Sequence, residues 1–98
     1  MCTRQQCIDR LTQAAPYIRQ EFGVTSLCLF GSIARGDNGP DSDVDVFVEM
    51  PPKLYPILKL KHYLEDLLGV TVDVVRRHNN LSDFFIKEVD RDGLYIFS

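Results

Sequence analysis

The sequence predicts an α+β fold, an α/β layer in which one mixed β-sheet is packed with helices, in a single small domain over residues 1–98. Three observations carry that reading. Apolar residues recur at helical intervals near the N-terminus and again over residues 53–68. Short apolar or alternating runs at 25–30, 43–49 and 70–75 have the length and period of strands. Glycine or proline stands at nearly every change of period. A chain of 98 residues buries roughly two-thirds of the surface its unfolded form exposes, enough for one core and not for two.

The first helix runs from about Thr3 to Phe22, with Ile8, Leu11, Ala15, Ile18 and Phe22 on its inner face and Gly23 to terminate it. Pro16 falls inside this pattern and predicts a kink, or a split into two shorter helices. TSLCLF, residues 25–30, is a short strand between Gly23 and Gly31. The stretch holding Asp37, Asn38, Gly39 and Pro40 is a turn, and Asp37 and Asp41 read as turn residues that bond their own backbone. Over Asp43–Glu49, Val44, Val46 and Val48 fall on one face and Asp43, Asp45, Phe47 and Glu49 on the other.

Pro51 and Pro52 end that strand. A second helix follows from about Lys53 to Leu68, its inner stripe drawn from Leu54, Ile57, Leu58, Leu64, Leu67 and Leu68. Pro56 is tolerated in its first turn, where the missing amide has no partner anyway, and Gly69 closes it. VTVDVV, residues 70–75, is a third strand interrupted by one carboxylate, Asp73. A short helix over Ser82–Asp90 comes next, and LYIF near the C-terminus is a candidate last strand, read either as a sheet edge or as an interface.

Composition narrows the function classes. A hydrophobic content of 45% with 26% charged residues excludes a disordered chain, and no apolar run approaches membrane-spanning length. MCTRQQCIDR lacks the apolar core of a signal peptide, which predicts a cytoplasmic protein. The formal net charge of −3 argues against direct nucleic-acid binding through backbone phosphates. Cys2, Cys7 and Cys28 fit no zinc template and cannot all pair, and Cys28, inside an apolar run, reads as a small buried hydrophobe. His62, Lys53, Lys59 and Lys61 read as a solvated helix face, and His78, after Arg76 and Arg77, as part of a surface loop.

The chemistry concentrates in GSIARGDNGPDSDVDVFVEM, residues 31–50. Asp43 and Asp45 project to one face, where paired like charges raise one carboxyl's pKa and cost stability. A hard divalent cation relieves that repulsion and keeps part of its water shell for substrate phosphates. Asp73 is a third candidate ligand if its strand lies beside theirs. Gly31 and Ser32 follow a strand and open a helical turn. Amides at such a turn bind anions, the serine adds a donor, and Arg35 adds a charged fork. Carboxylates for a metal and amides for a phosphate together describe phosphoryl or nucleotidyl transfer. A Walker loop would need a lysine this turn lacks, a serine-hydrolase elbow a different glycine register, and an EF-hand a glycine where Val46 stands and a glutamate where Pro52 stands.

Gly31-Ser32, ten intervening residues and Asp43-Val44-Asp45 resemble the signature of nucleotidyltransferases of the DNA polymerase β superfamily. GSIARG, PDSDVDVFVE with its Ser42-Asp43 pair, and the later VDVV are similar to the minimal nucleotidyltransferases in particular. The resemblance implies a nucleotidyltransferase-like fold in which Asp43, Asp45 and Asp73 hold Mg²⁺, Asp73 takes the acceptor's proton, and Gly31, Ser32 and Arg35 bind the triphosphate of ATP. The chain departs from the pattern at Ile33, where relatives often carry arginine, so phosphate affinity is weaker or the charge comes from elsewhere. Many minimal nucleotidyltransferases are antitoxins paired with a HEPN-domain ribonuclease toxin. That implies AMP transfer to a toxin tyrosine within a hetero-oligomer. Two alternatives stay open: a non-catalytic module that neutralises a toxin by covering it, and a nucleotidyltransferase for a small hydroxylated molecule such as an aminoglycoside.

Overall fold

The computed structural model describes residues 3–36, 43–78, 81 and 83–98, without the side chains of Ser32, Phe85, Glu88 and Asp92. The element order is α1 (Arg4–Phe22), β1 (Ser26–Phe30), α2 (Ser32–Arg35), β2 (Val44–Glu49), α3 (Leu54–Leu68), β3 (Val72–Arg76), α4 (Asp83–Asp92) and β4 (Leu94–Phe97). The four strands form one mixed sheet in the order β3-β2-β1-β4. β1 pairs antiparallel with both β2 and β4, whereas β2 and β3, joined by the α3 crossover, run parallel. LYIF is therefore a strand at the edge of the sheet.

α1 starts at a reciprocal cap. The Gln6 N–H donates to Thr3 Oγ1 at 3.2 Å, and the Thr3 N–H donates to Gln6 Oε1 at 3.0 Å. It stops at Gly23, whose φ of 68° is a left-handed conformation that glycine adopts without strain. The expected break at Pro16 does not occur, and α1 is one continuous helix of 19 residues. Pro16 lies on the exposed face together with Thr12, one turn before it, so the Thr12 carbonyl deprived of its donor is open to water.

Both faces of the sheet are covered. On one, Cys7, Leu11, Ile18 and Phe22 of α1 and Leu60, Leu64 and Leu68 of α3 meet Leu27, Leu29, Val44, Val46, Val48 and Val72. On the other, Val89 of α4 packs with Cys28 and Phe47, flanked by Phe30, Val75 and Ile86. Cys28 is a buried residue as expected, and burial lifts its thiol pKa to about 11.

The stripe of α3 differs from the expected one. Leu54 and Leu58 are exposed, at 71% and 44%, while Leu60, absent from the predicted stripe, is fully buried. Leu60, Leu64 and Leu68 form the i, i+4, i+8 row that faces the sheet, and Leu54 and Leu58 form a second i, i+4 pair rotated off it. The basic patch is also partly consumed. Lys59 lies 4.7 Å over the Tyr55 ring, and Lys61 is engaged with Glu65.

Three arginines of α1 reach distant carbonyls. Arg4 Nε donates to Ala34 O at 3.2 Å, Arg10 to Leu67 O at 3.3 Å, and Arg19 to Ser98 O at 3.3 Å. The α4–β4 junction is equally tight. A Cβ added at Gly93 would clash with the Val89 carbonyl and lie 2.6 Å from Cys28 Sγ. Gly93→Ala is expected to destabilise the fold by about 1–3 kcal/mol through overpacking, measured as a shift in the urea midpoint at unchanged m-value.

Candidate active site

Strand register brings the chemistry together. β1 and β2 pair Phe30 with Asp45, and β2 and β3 pair Asp45 with Asp73. One row across the sheet is thus Phe30–Asp45–Asp73. The next row on the same face is Cys28–Phe47–Val75, shielded by α4, and a further pair is Ser26–Glu49. α4 covers the apolar row, while Asp45 is half-buried and Asp73 exposed. The strand of Asp73 lies beside that of Asp45, which meets the condition on which Asp73 was a candidate ligand.

Gly31 follows directly on β1 and has φ 75°, which favours glycine on conformational grounds alone. A Cβ there would stand 2.5 Å from Asp45 Oδ2, so a side chain at this position would push that carboxylate aside. The Asp45 carboxylate therefore packs against the backbone of the turn that opens α2. Arg35 N–H donates to Gly31 O at 3.3 Å, closing one helical turn over Ser32–Arg35. The first amides of such a turn have no acceptor within the helix. Arg35 ends it as an exposed residue.

Other expected residues stand outside the paired row. Ile33 is fully buried in the main core, so position 33 anchors α2 to the sheet and brings no charge to the turn. Asp43 precedes β2 and is exposed. The Ser32 hydroxyl, Cys2, the Asp37–Pro40 turn, Asp41, Ser42 and the predicted helix start at Ser82 lie outside what the structure describes.

Electrostatics mark Asp45 as the centre of the group. Burial first, then the Asp73 carboxylate, then that of Asp43, push its carboxyl above the ordinary aspartate range. Asp43 thus belongs to the same electrostatic cluster. Among the described residues, no group of three acidic or other ligating side chains stands at metal-binding spacing. Mutual repulsion favours side-chain rotamers that keep like charges apart. The donor set still suits Mg²⁺, which takes one or two carboxylates and completes its shell with water and phosphate oxygens. A cleft of about 500 Å³ elsewhere, lined by Thr25, Ser26, Glu49, Arg77, Tyr95 and Ser98, is dominated by a Glu49–Arg77 ion pair of 3.1 Å that neutralises itself.

A raised carboxyl has a definite sign in stability. Folded Asp45 keeps its proton at pH values where the unfolded chain has lost it. It therefore favours the fold in acid, and that contribution disappears as pH rises through the raised value. Asp45→Asn is expected to raise the melting temperature by a few degrees at pH 7 in metal-free buffer. The gain should shrink as pH falls toward 3.8, the ordinary value.

Known proteins share both sequence and architecture with this chain. A family model described as nucleotidyltransferase domain matches residues 11–96. Protein adenylyltransferase MntA of Thermococcus cleftensis is 37% identical over 98 residues, covering 98% of each chain. A solved chain assigned to the minimal nucleotidyltransferases is 30% identical, with 96% of each chain covered and a TM-score of 0.79. The solved complex of a tri-AMPylated Shewanella oneidensis HEPN toxin with MNT antitoxin contains a chain of the same fold. That chain is 18% identical at a TM-score of 0.65, and 98% of the present chain covers 73% of it. Because the family model spans most of the sequence and the Thermococcus cleftensis relative matches it almost throughout, this chain belongs to the nucleotidyltransferase domain family and is a nucleotidyltransferase.

Proposed function

We propose that this chain transfers AMP from ATP to a hydroxyl, that of a tyrosine on a partner HEPN-domain ribonuclease toxin, and so acts as the toxin's antitoxin. The observation that carries the reading is the register pairing Asp45 with Asp73, with Asp45 against the Gly31 backbone. The 37% identity to a protein adenylyltransferase supports a protein acceptor over a small molecule.

In this reading the Gly31 turn and the amides opening α2 hold the triphosphate, with the Ser32 hydroxyl and Arg35 as further donors. Asp43, Asp45 and Asp73 would hold Mg²⁺, which would supply positive charge to the phosphate oxygens when bound. Asp73, the more exposed of the registered pair, faces the incoming acceptor. The acceptor oxygen bonds to the α-phosphorus as the bond to the bridging α–β oxygen breaks. Pyrophosphate leaves with that electron pair, and the hydroxyl proton passes to the Asp73 carboxylate. Phe30 and the α4-covered row wall off one side of the carboxylates, which lowers the local dielectric and strengthens their interaction with the cation.

Transfer of label from α-labelled ATP to proteins of the source lysate tests this. Wild type with Mg²⁺ is expected to label one toxin band, and the signal should vanish with EDTA or with Asp43→Ala/Asp45→Ala, whose circular dichroism stays native. Label confined to small molecules would point to an aminoglycoside-like substrate. Toxin neutralised by the double variant without ATP would point to binding alone. Gly31→Ala is expected to lower transfer about 100-fold by displacing Asp45, checked by initial rates at saturating ATP.

A further inference from the structure

β3 is one of the sheet's two edge strands, and among the described residues it is paired with β2 alone. In a parallel pair, alternate residues turn their peptide groups toward the partner and away from it. Thr71 O accepts from the Val44 N–H at 2.9 Å, so Thr71 faces β2 and Val72 faces outward. The outward groups of Val72 are both taken by side chains of α3. The Val72 N–H donates to Glu65 Oε2 at 3.1 Å, and Val72 O accepts from Lys61 Nζ at 2.7 Å. Lys61 Nζ also donates to Glu65 Oε2 at 3.1 Å, which closes a three-membered ring of hydrogen bonds around a single residue. Its side chain is fully buried in the main core, so Val72 is held from two directions.

We propose that Lys61 and Glu65 are positioning residues for the reaction: a clamp on the outer edge of Val72 that holds the next residue, Asp73, opposite Asp45. The inference rests on the role given to Asp73 above. Each member depends on the others. The Val72 N–H is the foremost cause that holds the Glu65 carboxyl below the ordinary range, followed by the hydrogen bond from Lys61. The pair is half-buried, with 34% and 25% of its side chains accessible, and the two residues stand one helical turn apart on α3. An edge strand held on one side frays, and a slip of one residue would turn Asp73 to the opposite face. The Lys61 charge is engaged by Glu65 and Val72, so it acts through β3 and not on the nucleotide.

Lys61→Met/Glu65→Met leaves net charge unchanged and removes the clamp. It is expected to lower kcat at least about tenfold, with KM for ATP within about twofold, because the Gly31 turn is untouched. Amide exchange read by NMR should accelerate at residues 72–74 and stay unchanged in β1, whereas general loosening would speed both. Lys61→Arg, which keeps a donor, should restore kcat to within about threefold. In an Asp73→Asn background the clamp variant should cost nothing further. Wild-type kcat in the clamp variant, with Asp73→Asn inactive, overturns the clamp and leaves the functional reading standing. Full activity of Asp73→Asn overturns both. If the double variant does not fold, Lys61→Met alone is read by the same exchange and kinetic comparison, and acceleration in β1 equal to that in β3 overturns the proposal.

Discussion

Everything at the candidate site depends on the strand register that lines up Phe30, Asp45 and Asp73 across β1, β2 and β3. Side chains alternate along a strand, so a shift of one residue would bury Asp45 in the main core and expose Val44 or Val46. The valines prevent this. Val44, Val46 and Val48 are all essentially buried against α1 and α3, and each fixes the phase of the whole strand. The hydrophobic energy of the core thus holds carboxylates where they repel one another. A buried apolar face enforces an unfavourable polar one, and the penalty falls mainly on Asp45.

The second face divides the labour differently. Cys28, Phe47 and Val89 form a small cluster beneath α4 that stops short of the aspartate row. That arrangement leaves the carboxylates reachable from solvent while excluding water from one side. The Gly31 turn completes the enclosure by bringing backbone against Asp45 Oδ2, where any side chain would displace the carboxylate. Position 33, by contrast, packs into the main core and ties α2 to the sheet. The turn is held from beneath by an apolar anchor and at its end by Arg4 on the Ala34 carbonyl.

Strong periodicity made most of this architecture legible in the sequence. The Val–Asp alternation set the faces of β2, the lone carboxylate in VTVDVV marked Asp73, and the glycines at 23 and 69 marked both helix ends. Other features were hidden because they depend on tertiary surroundings. Leu54, Leu58 and Leu60 look equally apolar, and only the position of the sheet decides which of them faces inward. Pro16 reads as a helix breaker until its exposed position shows that water can take over the lost bond. Lys61 and Glu65 resemble any solvated i, i+4 pair. Their engagement with Val72 requires knowing that α3 crosses the edge of β3. Ile33 looked like a missing charge because the resemblance supplies a residue type and not a side-chain direction.

The placement of β4 bears on how the chain folds. β1, at residues 26–30, is completed on its outer side by residues 94–97, and Arg19 of α1 bonds the carbonyl of Ser98. Pairings so distant in sequence are slow to form, because loop-closure entropy is lost before the contact offsets it. During synthesis α1 and β1 emerge well before their last partner, and the outer edge of β1 must wait while β2 and β3 assemble on the other side. Because α4 joins β3 at one edge to β4 at the other, the segment that completes the sheet is continuous with the helix that shields the Phe47 row beside the carboxylates.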